Sequence, residues 1–218
     1  MPQMNKKIAL IAGVANPIGV AVVKELTKAG WTVVGIDVSM SPPEAVDLQQ
    51  YFPLDMTDRK QVVEAVADVQ KSLGEIDALF CATGFESDRQ CGDFVDTPIE
   101  QWEKCLDGWL NSTTNACFAV APGMVSRQQG RIVILSPDYS KEAEDHVLDA
   151  IGAGTLHGFA KSFGVEMAKE NVLVNCLWPN SPFDLDAIAA SVRFLADSGD
   201  YISAQVISVQ GQAKEVAK

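Results

Sequence analysis

Short apolar runs alternate with longer amphipathic stretches from one end of the chain to the other. The run Lys7-Ile8-Ala9-Leu10-Ile11-Ala12 has no polar interruption after its first residue and stops at Gly13, which predicts a parallel strand buried on both faces. Residues 17–29 place Ile18, Val22, Val23 and Leu26 at helical spacing, with Gly30 as the stop. Further strands are predicted over residues 32–37, 51–54, 76–81, 131–135, 173–177 and 206–209, and helices over 59–73, 98–128, 146–169 and 184–196. Thr97-Pro98-Ile99-Glu100 has the spacing of a capping box with proline at the first helical position, so it opens the helix that runs through Trp102, Leu106, Trp109 and Leu110 toward Met124. Strand and helix alternating in this way predict an α/β fold: one doubly wound, Rossmann-type parallel sheet with helices on both faces, in a single domain over residues 1–218.

Composition narrows the partners. A chain of 218 residues with 47% apolar and 21% charged residues has the size and balance of one globular domain with a substantial core. Its net charge of −12 argues against nucleic acid and anionic membrane, both of which reward basic surfaces. No apolar run reaches the length of a membrane span. The opening residues lack the apolar core of a secretory signal, so a cytoplasmic location is expected. The five cysteines form no C-x-x-C pair and there are only two histidines, His146 and His157; free thiols and no metal site are the expectation.

The candidate chemistry sits in four segments. Ala12-Gly13-Val14-Ala15-Asn16-Pro17-Ile18-Gly19 joins the first strand to the first helix. Glycines in such a turn let backbone approach a pyrophosphate at the helix N-terminus. Asp37 ends the second strand, 18 residues beyond Gly19. Cys81-Ala82-Thr83-Gly84 follows the fourth strand, and Asp149-Ala150-Ile151-Gly152-Ala153 opens a helix that continues through Gly158, Phe159 and Glu166. Together with Leu54-Asp55-Met56-Thr57 and Ile202-Ser203-Ala204-Gln205, these segments resemble the short-chain dehydrogenase/reductase family over residues 7–212.

That resemblance implies an NAD site built from Gly13, Ile18, Gly19, Asp37, Asp55 and Gly84, with Asp37 toward the adenosine ribose and Asp55 toward adenine. It also implies that the site is degraded. Pro17 stands for the middle glycine of the turn; it suits a first helical turn but lacks an N–H and adds ring atoms where a phosphate needs room. Asp37 is read equally well as a plain solvated strand end. The expectation is no NAD, or NAD bound weakly.

The catalytic positions depart further. The family uses tyrosine as proton donor, a lysine that lowers the tyrosine pKa and holds the cofactor ribose, a serine that orients the carbonyl, and an asparagine that supports a proton-relay water. By ungapped correspondence these fall on Asp149, Ala153, Ser136 and Trp109. Only Ser136, 13 residues before Asp149, survives. A carboxylate ionised at neutral pH has no proton to give and is shorter than tyrosine; Ala153 supplies no cation. Asn111 lies two residues past Trp109, about 200° around a helix, and cannot stand in for the asparagine. Tyr139-Ser140-Lys141 is an alternative source of the lost groups, at a spacing that does not share a helix face. The lid that follows strand six in the family is mostly missing, since Pro179-Asn180-Ser181-Pro182-Phe183 leads straight into the next helix.

The resemblance further implies an assembly role, because family members pair through the two helices over 98–128 and 146–169, here carrying Trp102, Trp109, Phe118, Leu156, Phe159, Phe163 and Met167. The expected function is a non-catalytic subunit in a heterotetramer with an active homologous partner. It is similar to the incapacitated subunit of heterotetrameric dehydrogenases, such as the hydroxyacyl-CoA dehydrogenase of benzylsuccinate degradation. The alternatives are a weak NAD-dependent oxidoreductase with rearranged residues, and a nucleotide-sensing regulator without turnover.

Overall fold

Seven parallel strands form one sheet in the order β3-β2-β1-β4-β5-β6-β7 in a computed structural model that describes residues 6–44, 46–84, 95–138, 147–180 and 184–210. The strands are β1 (Ile8–Ala12), β2 (Thr32–Asp37), β3 (Gln50–Pro53), β4 (Ala78–Cys81), β5 (Gly130–Leu135), β6 (Val172–Asn180) and β7 (Val206–Gln210). The helices are α1 (Pro17–Lys28), α2 (Arg59–Ser72), α3 (Ile99–Leu106), α4 (Ser112–Arg127), α5 (Val147–Met167) and α6 (Leu185–Asp197). Every residue of β1 and β4 is buried, which is why these segments read as unbroken apolar runs.

Each face of the sheet has its own core. Ala9, Ile11, Val33 and Phe80 point to the side covered by α1 and α6, where Val22, Val23, Ile188 and Val192 meet them. Leu10, Val34, Leu79 and Ile132 point to the other side, covered by α2, α4 and α5. Alternation along each strand, invisible as a polarity pattern, decides which helix layer each residue feeds. The register pairs Ala12 with both Ile36 and Cys81, Cys81 with Ile134, and Leu135 with Leu177, so the carboxyl ends of five strands share one edge. Strand order reverses between β1 and β4, and the crevice outside that edge is where an open α/β sheet takes ligands.

Most expected elements are present, with shifted ends. The apolar face of α1 comprises Ile18, Val22, Val23 and Leu26 as its spacing predicts. The strand expected over 173–177 runs instead to Asn180, where Trp178, Pro179 and Asn180 pair with β7. The helix expected from the capping box begins one residue late: Pro98 is the cap residue and supplies no side-chain hydrogen bond, having no side-chain acceptor to offer. Its continuation toward Met124 is interrupted by a π-helical turn at Asp107–Asn111, which inserts a residue and reorients Trp109. The Tyr139-Ser140-Lys141 alternative, His146, Cys91, and Ser181, Pro182 and Phe183 after β6 lie outside the described residues. No helix among the described residues is long and apolar enough to cross a membrane, and their four cysteines are free and buried.

Candidate functional site

The β1–α1 turn is held by its own groups. Gly13 has φ +84°, and a Cβ there would run into the Ala82 carbonyl; a Cβ on Gly19 would lie 2.5 Å from the Gly13 carbonyl oxygen. Both glycines are therefore required by backbone packing between β1, β4 and α1. Asn16 caps α1, accepting from the Gly19 amide at 2.8 Å, while its amide nitrogen donates to the Gly13 and Ala82 carbonyls at 2.7 and 2.8 Å. Ile18 is buried in the core and Pro17 is exposed at the first helical position.

Asp37 differs from the ribose-binding expectation. It is 7% exposed. One carboxylate oxygen accepts from the Ala15 amide at 2.9 Å and the other from the Ser39 amide at 3.0 Å. The carboxylate thus ties the end of β2 to the glycine turn and is not a plain solvated strand end. Asp55 is exposed and accepts from the amide and hydroxyl of Thr57 at 2.8 and 2.7 Å. Asn115 on α4 donates to the Met56 and Thr57 carbonyls at 3.1 and 2.9 Å, fixing the segment after β3; the sequence pattern did not single it out.

A cleft of about 480 Å³ opens beside this segment. Val38, Asp55, Met56 and Thr57 line one wall, Glu100, Glu103, Lys104 and Asp107 the other, and Gly84, Gly108 and Ser112 close its inner end. Four carboxylates and one ammonium surround the space. An anionic dinucleotide is disfavoured there by like charge, though by a modest amount where water screens it.

Trp109 packs against Gly84, a residue of the cleft lining, without lining the cleft itself. The indole is 1% exposed, among the largest fully buried side chains of the protein. A Cβ on Gly84 would lie 2.8 Å from its Nε1, and closer still to Cδ1; a Cβ on Gly152 would lie 2.8 Å from its Cδ2, and closer to Cε3 and Cζ3. The ring is clamped edge to edge between the turn after β4 and the first turns of α5. Ala153, beside Gly152, is completely buried, and Asp149 is half-buried one turn earlier.

Asp149, Ala153 and His157 lie at i, i+4 and i+8 along one face of α5. Ser136 at the end of β5 is completely buried, and its hydroxyl lies 3.0 Å from His157 Nε2. It also reaches the Leu177 carbonyl at 3.4 Å. His157 meets Trp178 edge-on at 6.4 Å between ring centroids, and partial burial pushes its pKa below the ordinary imidazole value. Burial pushes the neighbouring Cys176 thiol up to about 12, against hydrogen bonding from Ser136 that works the other way. Ser136 is thus a packed hydroxyl that joins β5, β6 and α5, without an open face for a substrate carbonyl. The partnership with His157 was missed because the histidine was weighed only as a metal ligand; its eight-residue offset from Asp149 was the available signal. Asn111 is exposed and donates to Asp107 at 2.6 Å.

The residues expected at an assembly surface separate into three sets. Trp109 and Leu156 are buried inside the subunit and face the sheet. Trp102, Phe159, Phe163 and Met167 are partly buried against the same core, with Phe159 and Phe163 stacked at 5.1 Å. Phe118 is 47% exposed beneath Arg59, and on α5 Ile151 and Val165 are 38% and 60% exposed. Added Cβ atoms at Gly154 and Gly158 on that helix would meet open space.

Comparison with known proteins agrees with this architecture. The family described as short chain dehydrogenase matches residues 7–182. A 2-dehydro-3-deoxy-L-rhamnonate dehydrogenase (NAD(+)) from Sphingomonas sp. is 28% identical over 79% of this chain and 71% of its own length. A 3-oxoacyl-[acyl-carrier-protein] reductase FabG from Thermotoga maritima is 26% identical over 96% of this chain and 98% of its own. Among solved structures, ElxO with NADP bound superposes with a TM-score of 0.81 at 22% identity, covering 94% of this chain and 98% of that one. The ligand-free aldohexose dehydrogenase of Thermoplasma acidophilum superposes with a TM-score of 0.84 at 18% identity, covering 94% and 93%. These two superpositions establish the fold, and the family match over residues 7–182, together with the sheet order and glycine turn described above, establishes that this chain belongs to the short-chain dehydrogenase family.

Proposed function

We propose that this chain is a non-catalytic short-chain dehydrogenase subunit that supports assembly of an NAD-dependent alcohol or hydroxyacyl-CoA dehydrogenase with an active homologous partner. One observation carries the reading: the buried Trp109 indole clamped between Gly84 and Gly152. It occupies the ground between the turn after β4 and the helix face that holds Asp149 and Ala153, where the family resemblance places the catalytic asparagine, tyrosine and lysine. Proton donation to a carbonyl needs a donor within hydrogen-bond reach of the reacting oxygen. On this face the described residues offer a carboxyl at 149, a methyl at 153 and an imidazole at 157 that is turned onto the buried Ser136 hydroxyl, beside an indole sealed in the core. Ser136, in hydrogen-bond contact with His157, is completely buried and has no open face toward a substrate carbonyl. The relatives named as dehydrogenases and reductases support the general chemistry of the complex and leave its substrate open.

Turnover and assembly test the reading together. The purified chain should show no NAD(H)-dependent reduction of ketone or acyl-CoA substrates alone. Co-expressed with homologous dehydrogenases of its host, it should elute with one of them in size-exclusion chromatography with light scattering. Val165→Asp, on an exposed α5 position, should release the partner and leave the subunit folded. Family-typical turnover by the isolated chain, abolished by Ser136→Ala, would overturn the proposal, as would a monomer that ignores every such homologue. A nucleotide-sensing role is the second reading, favoured by the open cleft beside Asp55.

A further inference from the structure

We propose that the cleft between the end of β3 and α3 docks a basic segment of a partner protein, with a lysine or arginine seated between its walls and an apolar neighbour on its rim. This contact goes beyond the assembly reading and lies on a different surface from the exposed face of α5. The cleft combines apolar surface with charge. Val38, in its lining, is 55% exposed, and Met40, two residues further on, is 83% exposed. Ile99 at the start of α3 is 65% exposed and lies one turn before Glu103, which lines the opposite wall. Apolar side chains left bare on both sides of one concave surface mark a place where another molecule covers them.

Charge selects the occupant. Glu100, Glu103 and Asp107 stand across the space from Asp55, and Lys104 offsets one of the four charges. Glu100 sits in the first turn of α3, where the helix dipole favours a carboxylate. Glu103 and Asp107 gain nothing from that dipole, and like charges one turn apart on a helix face weaken the helix. Asp107 is held by Asn111 and Asp55 by Thr57, whereas Glu100 and Glu103 take neither an ion pair nor a side-chain hydrogen bond among the described residues. A cation between the walls relieves this crowding, and Val38 and Met56 suit the aliphatic stem of a lysine or arginine. Met40 and Ile99 decide between a small amine and a chain. Neither lines the cleft, so an amine held inside it leaves both bare, while a segment crossing the rim covers them. A second copy of this chain, with a net charge of −12, is a poor source of that segment; a basic protein is a good one.

The intact chain and a short capped peptide in which lysine and leucine alternate test the proposal. In heteronuclear NMR, amide shifts on adding the peptide should concentrate at Val38, Asp55 and residues 99–107. Shifts spread over other surfaces overturn the proposal. Glu100→Gln combined with Glu103→Gln should weaken peptide binding about tenfold. The matched control, Glu64→Gln combined with Glu166→Gln at exposed sites of α2 and α5, should change it by less than about twofold. Val38→Ser should weaken the leucine peptide about threefold and leave a lysine–serine peptide unchanged. Equal losses in the two double variants would show only attraction to an acidic chain, and reject docking at the cleft. Spermidine binding as tightly as the peptide rejects it too, by assigning the cleft to a free amine. So does NAD+ displacing the peptide at equal concentration, which assigns the cleft to an anionic ligand. All five substitutions sit at exposed positions, and the shift map on the unaltered chain decides should a variant not fold. Assembly through α5 is read separately by Val165→Asp, so the two failures are distinguishable.

Discussion

The glycine turn after β1 and the helix face at the start of α5 differ in how far they keep the family pattern, and the contrast shows which family residues the fold itself needs. At the turn, Gly13 and Gly19 stand where family glycines stand, because any side chain there would strike the Ala82 and Gly13 carbonyls. Their reason for being glycine is backbone packing, and it holds with or without a phosphate nearby. Two amides of the turn are taken by side chains of the chain itself: Gly19 donates to Asn16 and Ala15 donates to Asp37. At α5 the family side chains serve only chemistry, and nothing in the fold demands them. Aspartate at 149 and alanine at 153 stand in their places, and an indole packs against Gly152 beside Ala153. A fingerprint glycine can thus be required by backbone packing alone.

Breaking the clamp should produce the largest effect. Trp109→Ala should cost about 3–5 kcal/mol in denaturant unfolding, the usual range for emptying a buried aromatic site. A value below about 1 kcal/mol would mean that the indole is not the filler of this face. Gly152→Ala should cost roughly 1–3 kcal/mol by overpacking. Because the strain is against the indole, combining it with Trp109→Ala should be less costly than the sum of the two single changes. Strict additivity would place the clash elsewhere. At the turn, Asp37→Asn should lose about 1–3 kcal/mol, since its carboxylate holds two backbone amides. If Asp37 instead served only a bound ribose, stability without ligand would be unchanged.

The smallest expected effect concerns pH. His157 has its pKa lowered by desolvation, so the folded state resists a proton that the unfolded state takes up near 6.5. Unfolding free energy should therefore fall as pH drops from about 6.5 toward the lowered folded value, and be fully present above 6.5. His157→Gln should flatten that part of the profile, measured by chemical denaturation between pH 5 and 8. A profile that keeps its slope in the variant would assign the dependence to other groups.

Residues 17–28 show how far pattern alone carries: four apolar positions at helical spacing, a proline start and a glycine stop specify a helix and its buried face, and both are as expected. The parallel sheet follows from strand–helix alternation for the same reason, since short connections and right-handed crossovers leave few topologies open. Trp109 marks where legibility ends. Its position as a lost asparagine was readable, and its aromatic character suggested a surface for a partner, yet the π-turn and the glycines at 84 and 152 turn it inward. Those glycines lie 25 and 43 residues away in the chain, so no local period links them to it.

Asp37 and His157 teach the same lesson at a smaller scale. The sequence by itself determined the fold class, the family resemblance and the absence of tyrosine and lysine at 149 and 153. Only the tertiary structure decided that Asp37 holds the glycine turn, that Ser136 pairs with His157, and that Trp109 is buried between Gly84 and Gly152. The physical reason is range. Propensity, period and missing functional groups are local properties of residues, whereas hydrogen-bond partners and occupied volume belong to groups brought together by the sheet.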